Sequence, residues 1–366
     1  MRILDRYIAK SVISIFFGCL LTFFLLYLVI DTFTNLSNIL KQKISLDILL
    51  SYYSAYLPLI FVQVSPIASL LSTLYCFAGL NKGNEIIAMR SAGLSIWQIA
   101  KFSLLFGVII SIVVFWVNDK FVPQSLITTE KLHAVIEGQT DRIKEKEGAA
   151  ITNLSMYGLK NRLFFVNKFS LATETMEQIV ILEHDEKQNI TKKMVANKGI
   201  YKDGTWRFYQ CITYNFDQSG QVIDEPQYMP EEIMTIPESP QEFLHQRQRQ
   251  ELMTIAELQD YIWRLSKSGA TTVIRNLKVD LYQKFTTPLT NIIIILMGIP
   301  FAFKMTKRAT GLASLGVSIM VGFVYYVMSA IGVALGKGGY LPPLIAVSTS
   351  HIIVLSTSIY LIRKLR

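Results

Sequence analysis

The side chains able to do chemistry are sparse in this sequence, and their spacing is not that of a catalyst. Within the long apolar stretches there is no pair of carboxylates, no histidine cluster at metal-ligand spacing and no serine–histidine arrangement. An intramembrane hydrolase or lipid-modifying enzyme would need such groups aligned across its helices. His351 is the only histidine in an apolar stretch. An ionisable group at membrane depth is a functional candidate by default. It has no obvious acidic partner, however, and the competing reading is a neutral, hydrogen-bonded packing role. Gly332-Val333-Ala334-Leu335-Gly336-Lys337-Gly338 has the look of a phosphate loop but lacks its spacing and the Ser or Thr after Lys. It reads better as the end of a membrane span, with Gly332 and Gly336 as a small-residue packing pair.

Two further groups could act by contact. The segment Asn81 to Ser95 is a short connection in which Glu85 comes near the start, Ile86, Ile87 and Met89 are apolar, Arg90 follows, and Gly93 fits a helix C-cap. One reading is a short amphipathic helix that docks into a groove on a partner. The other is a solvated turn at the membrane surface. Lys41 and Lys43 lie in a second short connection. They could pair with lipid phosphates or be ordinary solvated lysines.

The elements that must position these groups form a sandwich. The chain has 366 residues, 51% hydrophobic and 17% charged, well short of the ~25% charged typical of soluble domains. The deficit lies in six runs, each near the ~20 apolar residues that cross a bilayer: about 11–30, 56–80, 102–122, 285–303, 312–335 and 341–362. Residues 1–121 hold the first three runs and a connecting helix at about 84–94. Residues 122–281 are polar, and 282–366 hold the last three runs. Pro58, Pro66, Pro288 and Pro300 predict kinks or irregular ends. The first run is too long for a cleavable signal.

Charge sets the orientation. Twelve basic residues (Arg2, Arg6, Lys10, Lys82, Arg90, Lys101, Lys304, Lys307, Arg308, Arg363, Lys364, Arg366) fall on one side. Only Lys41, Lys43 and Lys337 fall in short loops on the other. The positive-inside rule makes both termini cytoplasmic and turns the polar insert to the opposite side. Topology also explains the net charge of +9 more simply than nucleic-acid binding does. The three cysteines, Cys19, Cys76 and Cys211, read as small hydrophobes.

The insert is β-like between about Gln139 and Glu242. Apolar runs 163–166 and 179–182 and the aromatic stretch 206–214 predict strands. Lys202-Asp203-Gly204-Thr205 is a hairpin turn. Gln218-Ser219-Gly220 ends the stretch, and Pro226, Pro230, Pro237 and Pro240 mark an extended return path. Arg247 and Arg249 belong to a solvated run. Thr254 and Glu257 form a capping box for a helix over about 254–268, with Leu258, Ile262 and Leu265 on one face and Ser268-Gly269 as its end.

The Glu-x-x-x-Met-Arg-x-x-Gly pattern of Glu85, Met89, Arg90 and Gly93 resembles the coupling helix of the lipopolysaccharide-export permeases, the LptF/LptG family. The start Leu4-Asp5-Arg6-Tyr7-Ile8, the stretch Gly322 to Val327 and Gly339-Tyr340-Leu341-Pro342-Pro343 also resemble that family, in its order and topology and closer to its LptG branch. The resemblance implies a permease subunit in the bacterial inner membrane with six transmembrane helices and an inserted all-β periplasmic domain of jelly-roll type. It implies a second permease of the family, a dimeric cytoplasmic LptB-type ATPase that holds ATP and Mg, so that this chain carries no cofactor, and periplasmic LptC/LptA-type bridge proteins. Glu85, Ile86, Ile87, Met89, Arg90 and Gly93 would contact the ATPase. Spans one and five would be lateral gates, lined by Thr22, Phe23, Leu26, Ile30, Tyr325 and Tyr326. One departure matters: where some LptG proteins carry a lysine near the outer end of span one, this chain has Asp31, so a phosphate-binding role does not transfer to that position. The alternative is a membrane-anchored periplasmic sensor or assembly protein without transport activity, for which six spans are more than an anchor needs.

Overall fold

The computed structural model describes residues 3–138, 151–158, 161–170, 173–185, 189–202, 204–217, 220–234, 240, 252–266, 271–304 and 311–364. The expectations placed on Arg247, Arg249, Ser219, Pro237, Lys307, Arg308 and Ser268-Gly269 lie outside these residues. Five helices come first: α1 (Ile3–Lys41), α2 (Leu46–Lys82), α3 (Glu85–Ser91), α4 (Ile96–Lys120) and α5 (Val122–Ile136). Six strands follow: β1 (Ile151–Gly158), β2 (Arg162–Ser170), β3 (Thr175–His184), β4 (Ile190–Lys202), β5 (Thr205–Asn215) and β6 (Gln227–Met234). Then come α6 (Ile255–Leu265), α7 (Thr271–Thr286), a 3-10 turn (Thr287–Leu289), α8 (Thr290–Lys304), α9 (Gly311–Lys337) and α10 (Pro343–Arg363). Among the described residues, six helical stretches are long and apolar enough to cross a membrane, with α7, the 3-10 turn and α8 forming the fourth.

Two compact units result, one from Met1–Ile136 with Lys278–Arg366 and one from Glu137–Leu277. The boundary therefore falls at 137 rather than at 122. Residues 122–136 are helix α5, whose Ile136 and Leu132 pack with Tyr52, Tyr53 and Tyr56 of α2 in the helical unit. A polar composition hid this, because α5 buries only one face.

The helical unit is centred on α2 and α8. Leu70, Leu74 and Phe77 share a core with Ile294, Ile295 and Ile299. A proline inside a helix leaves the carbonyl four residues back without its amide donor, and at Pro66 a side chain takes its place. Pro66 cannot donate to Val62, and the Ser65 hydroxyl bonds that carbonyl at 3.3 Å. At the 3-10 turn before α8 the Thr286 and Thr287 hydroxyls both donate to the Gln283 carbonyl, and the Asn291 amide donates to that of Pro288. The expected irregularity in span four is this turn. The Gly332–Gly336 pair also holds: α9 lies so close to α10 that a Cβ on Gly332 would stand 2.5 Å from the Ala346 carbonyl oxygen, and one on Gly336 would stand 2.6 Å from the Ala346 Cβ.

In the second unit the described strands make one antiparallel sheet in sequence order, β1 to β6. The all-β domain expected of the insert takes the form of successive hairpins, β4 and β5 joined through the Lys202–Thr205 pair with Gly204 at φ +77°. Among the described residues its buried cluster consists of strand side chains, including Phe164, Phe169, Ile179, Met194, Trp206 and Phe208. A crease runs across the sheet. Residues 153, 167, 178, 197, 210 and 230 form one row across the sheet, and the pairings along this row are missing from all five registers, which elsewhere shift only between β3 and β4 at Glu183/His184. In β2, β3, β4 and β5 the alternation of inward and outward side chains slips by one residue at this row. Gln178 and Gln210 there adopt φ +52° and +54°. Amide side chains bridge the strands along it, Asn167 to Gln178 and Asn197 to Gln210. Aligned irregularities of this kind bend strands. Cys211, next to the crease, is fully buried, and burial pushes its thiol up to about 11, which keeps it protonated and inert at neutral pH. Thr254 and Glu257 form the expected capping box, with Thr254 N–H to Glu257 Oε2 at 2.8 Å and Glu257 N–H to Thr254 Oγ1 at 3.3 Å. Leu258, Ile262 and Leu265 are buried on one face of α6.

Two predictions follow from these contacts. Gly332→Ala must push α10 away from α9 and should destabilise the helical unit by about 1–3 kcal/mol, whereas Gly322→Ala, with nothing near its Cβ, should not; thermal unfolding in detergent compares them. At the crease, Gln210→Val places a β-branched residue at positive φ and should cost about 1–3 kcal/mol, while Gln210→Gly should be tolerated better; denaturant unfolding of the two variants should rank them in that order.

Candidate functional site

The connection between α2 and α4 is built from local signals. Asn84 adopts the left-handed conformation (φ +59°) and lets the chain reverse out of α2 into α3. Gly93 (φ +86°) ends α3: its N–H bonds the Arg90 carbonyl, and the Leu94 N–H reaches back to Met89, the paired bonds of a Schellman motif. Ser95 then starts α4 with a capping box to Gln98. Both the short helix and its glycine C-cap are therefore as the sequence predicts.

The faces of α3 divide its residues. Ile86 and Met89 are buried in the same core as Ile96 and Ile99 of α4 and Leu80 of α2. This corrects their place in a partner-contacting set, because at i and i+3 they form the inward stripe that fastens α3 to its own unit. The outward face carries Ile87, 52% exposed, with Arg90 and Gly93 also exposed. Glu85 is half-buried, and its carboxylate folds back over Gly83, where an added Cβ would stand 3.1 Å from Oε1. Trp97, on the first turn of α4, is exposed beside this connection. A tryptophan four residues after Gly93, at the second position of α4, was the signal for it, and sequence reasoning passed over it. Behind the connection, the Lys101 ammonium pairs with Asp5 Oδ2 at 3.3 Å, joining α4 to the start of α1.

The residues assigned to span one form an outward stripe on α1. Thr22, Leu26 and Ile30 are exposed at a spacing of four, with Leu25, Val29 and Phe33 beside them, while Phe23 is half-buried. The Thr22 hydroxyl donates to the Gly18 carbonyl at 2.9 Å, so it presents its methyl group. Lys41 is the last residue of α1 and Lys43 sits in the turn to α2 at φ +49°, both exposed. Lys41 also complements the negative end of the helix dipole.

On α9 the two adjacent tyrosines part company. Tyr326 is 42% exposed and Tyr325 only 2%. Tyr325 therefore leaves the lining set: its hydroxyl is 2.7 Å from Thr290 Oγ1 and 3.1 Å from His351 Nε2. His351 Nε2 also lies 2.9 Å from the Thr286 carbonyl, which borders the 3-10 turn. His351, Tyr325 and Thr290 thus form a buried polar junction that ties α8, α9 and α10 to the irregular point of span four. That is the hydrogen-bonded packing role, one of the two open readings of His351.

The sequence was then compared with known proteins. It matches the family described as lipopolysaccharide export system permease LptF/LptG over residues 6–364. A relative is the lipopolysaccharide export system permease protein LptG of Haemophilus influenzae, 21% identical over 346 residues that cover 90% of this chain and 89% of that protein. A match running from the first turn of α1 to the end of α10, through both helical triplets and the sheet between them, shows that the chain belongs to the LptF/LptG permease family and is LptG-like.

Proposed function

We propose that this chain is the LptG-type subunit of a lipopolysaccharide exporter in the bacterial inner membrane, coupled through α3 to a separate ATPase. The observation that carries the reading is the family match over the whole chain together with the two-faced α3. Its inner face is fixed to the core, and its outer face offers Ile87, Arg90 and Gly93. A lever that conveys force between subunits needs both: a surface for the partner and a rigid attachment to what must move. The twelve-to-three bias of basic residues supports placing α3 and both termini in the cytoplasm and the sheet in the periplasm.

The exposure of the spans supports a second permease of the same family. Only 6% of the most apolar window of α1 is buried and 28% of that of α9, against 61% for α2. The spans that would act as gates are the ones least held by the chain's own core. Thr22, Leu26, Ile30 and Tyr326 are available on them for lipid or for the second permease, and Lys41 and Lys43 at the outer end for lipid phosphates. β6 pairs only with β5 among the described strands and exposes Tyr228, Met229 and Ile233, which suits strand addition by an LptC/LptA-type bridge. ATP and Mg belong to an LptB-type ATPase dimer in this reading.

Two substitutions separated by one residue test the lever. Ile87→Asp should leave stability within about 0.5 kcal/mol, as a surface change, yet release the ATPase from the purified complex and abolish export. Ile86→Ala, one position away, should instead lower stability by roughly 2–5 kcal/mol as a cavity in the core. Co-purification with the ATPase and unfolding of each variant decide. An Ile87→Asp chain that keeps its ATPase and full export overturns the coupling role of α3.

A further inference from the structure

The outer end of α1 carries a group that neither the family match nor the proposed export mechanism uses. Asp31 lies 21 residues after Lys10 on one continuous helix, which at 1.5 Å per residue is about 31 Å, the thickness of the hydrocarbon core. With Lys10 at one boundary, Asp31 stands at the headgroup level of the other. Four tyrosines gather there from α1 and α2. Tyr27 and Tyr56 stack at 5.0 Å, Tyr52 meets Tyr53 edge-on at 5.1 Å, and Tyr52 lies 5.9 Å from Tyr56. The Tyr52 and Tyr53 hydroxyls are turned toward the Asp31 carboxylate, and Tyr27 feels its charge. His133 of α5 stands against Tyr52 at 6.1 Å. The Tyr53 hydroxyl is held by Thr32 at 2.6 Å. Asp31 as a whole is half-exposed, while its Oδ2 is turned inward and has no hydrogen-bond partner.

We propose that Asp31 and the surrounding tyrosines form a binding site for the ammonium group of a lipid headgroup. A carboxylate set among tyrosines offers an ammonium both charge pairing and aromatic contact. A phosphate is repelled by the same charge. A divalent cation is a poorer fit, because no group of three or more His, Cys, Asp or Glu able to hold a metal occurs among the described residues, and hard divalent ions take several oxygen ligands. The occupant is a lipid rather than a partner's lysine because the adjoining face of α1, with Val29, Ile30 and Phe33, is exposed and apolar, so the site opens toward acyl chains. The proposal needs α1 to cross the bilayer, but it needs neither export nor ATP coupling.

The test uses the full chain in nanodiscs of phosphatidylglycerol doped with either phosphatidylethanolamine or N-acyl phosphatidylethanolamine, which keeps the phosphate but loses the cationic amine. Native mass spectrometry then counts retained lipid. The expected result is about tenfold preference for the free amine, the ratio of a contact of the cation–π class, lost in Asp31→Asn and reduced in Tyr27→Leu. Equal retention of the two lipids by the unmodified chain overturns the proposal without any variant having to fold. So does an Asp31→Asn chain with undiminished preference, or carbodiimide cross-linking of Asp31 to a protein lysine instead of the lipid amine. Because no ATPase is present, loss of export in other variants neither supports nor weakens it.

Discussion

The helical unit depends on one constraint: in an apolar medium every backbone N–H and C=O must find a partner inside the protein. Straight helices meet it unaided, and α1 and α4 are such helices. Span four does not, because Pro288 interrupts it. The repair draws on Thr286, Thr287 and Asn291 from the span itself and on His351 from α10. Asn291 accepts at the same time from Ser69 of α2 at 3.3 Å, and Tyr325 of α9 closes the other side through Thr290. Three spans are thus fastened to the fourth at its 3-10 turn. The polar groups at this junction are structural glue, and that accounts for His351 at membrane depth.

This fastening decides what can move. α2, with span four and the junction around it, forms a centre, and α1 stands at the rim with most of its surface exposed. α3 belongs to the centre through Ile86 and Met89. A push on its outer face is therefore delivered to α2 and α4 and not absorbed by a hinge. In the proposed coupling, the same burial that removes two residues from the candidate partner surface would give the remaining ones mechanical use. The Asp5–Lys101 pair carries the connection on to the start of α1, the helix with least support of its own.

Much of this was legible in the sequence because its signals are local. Apolar runs of bilayer length, a glycine after a seven-residue helix, a Thr–Glu capping box and a Gly-x-x-x-Gly pair each name their own geometry, and each appears in the structure. What was not legible depends on partners distant in the chain. Nothing near Tyr325 says that it turns inward toward Thr290 while Tyr326 faces out. Nothing in α5 says that its polar sequence packs against tyrosines of α2. The crease in the sheet is the clearest case. Within one strand, two successive outward residues read as noise in a period-two pattern. Only when β2, β3, β4 and β5 are laid in register do Asn167, Gln178, Asn197 and Gln210 fall on one line and the irregularity become a bend.

The outer end of span one shows what a family match transfers and what it does not. Membership fixes the architecture, since the match runs through both triplets and the sheet. It does not fix the sign of a side chain. At 21% identity to its LptG relative, most positions differ, and a site's chemistry lives in its own residues rather than in its fold. A lysine at this level of the membrane favours phosphate; an aspartate disfavours it by the same Coulomb law. A buried carboxylate oxygen without a donor is costly unless something compensates it. Four tyrosines around an anion make sense as a stable arrangement when a cation completes it. The departure from the resemblance is therefore better read as a different headgroup contact than as the loss of one.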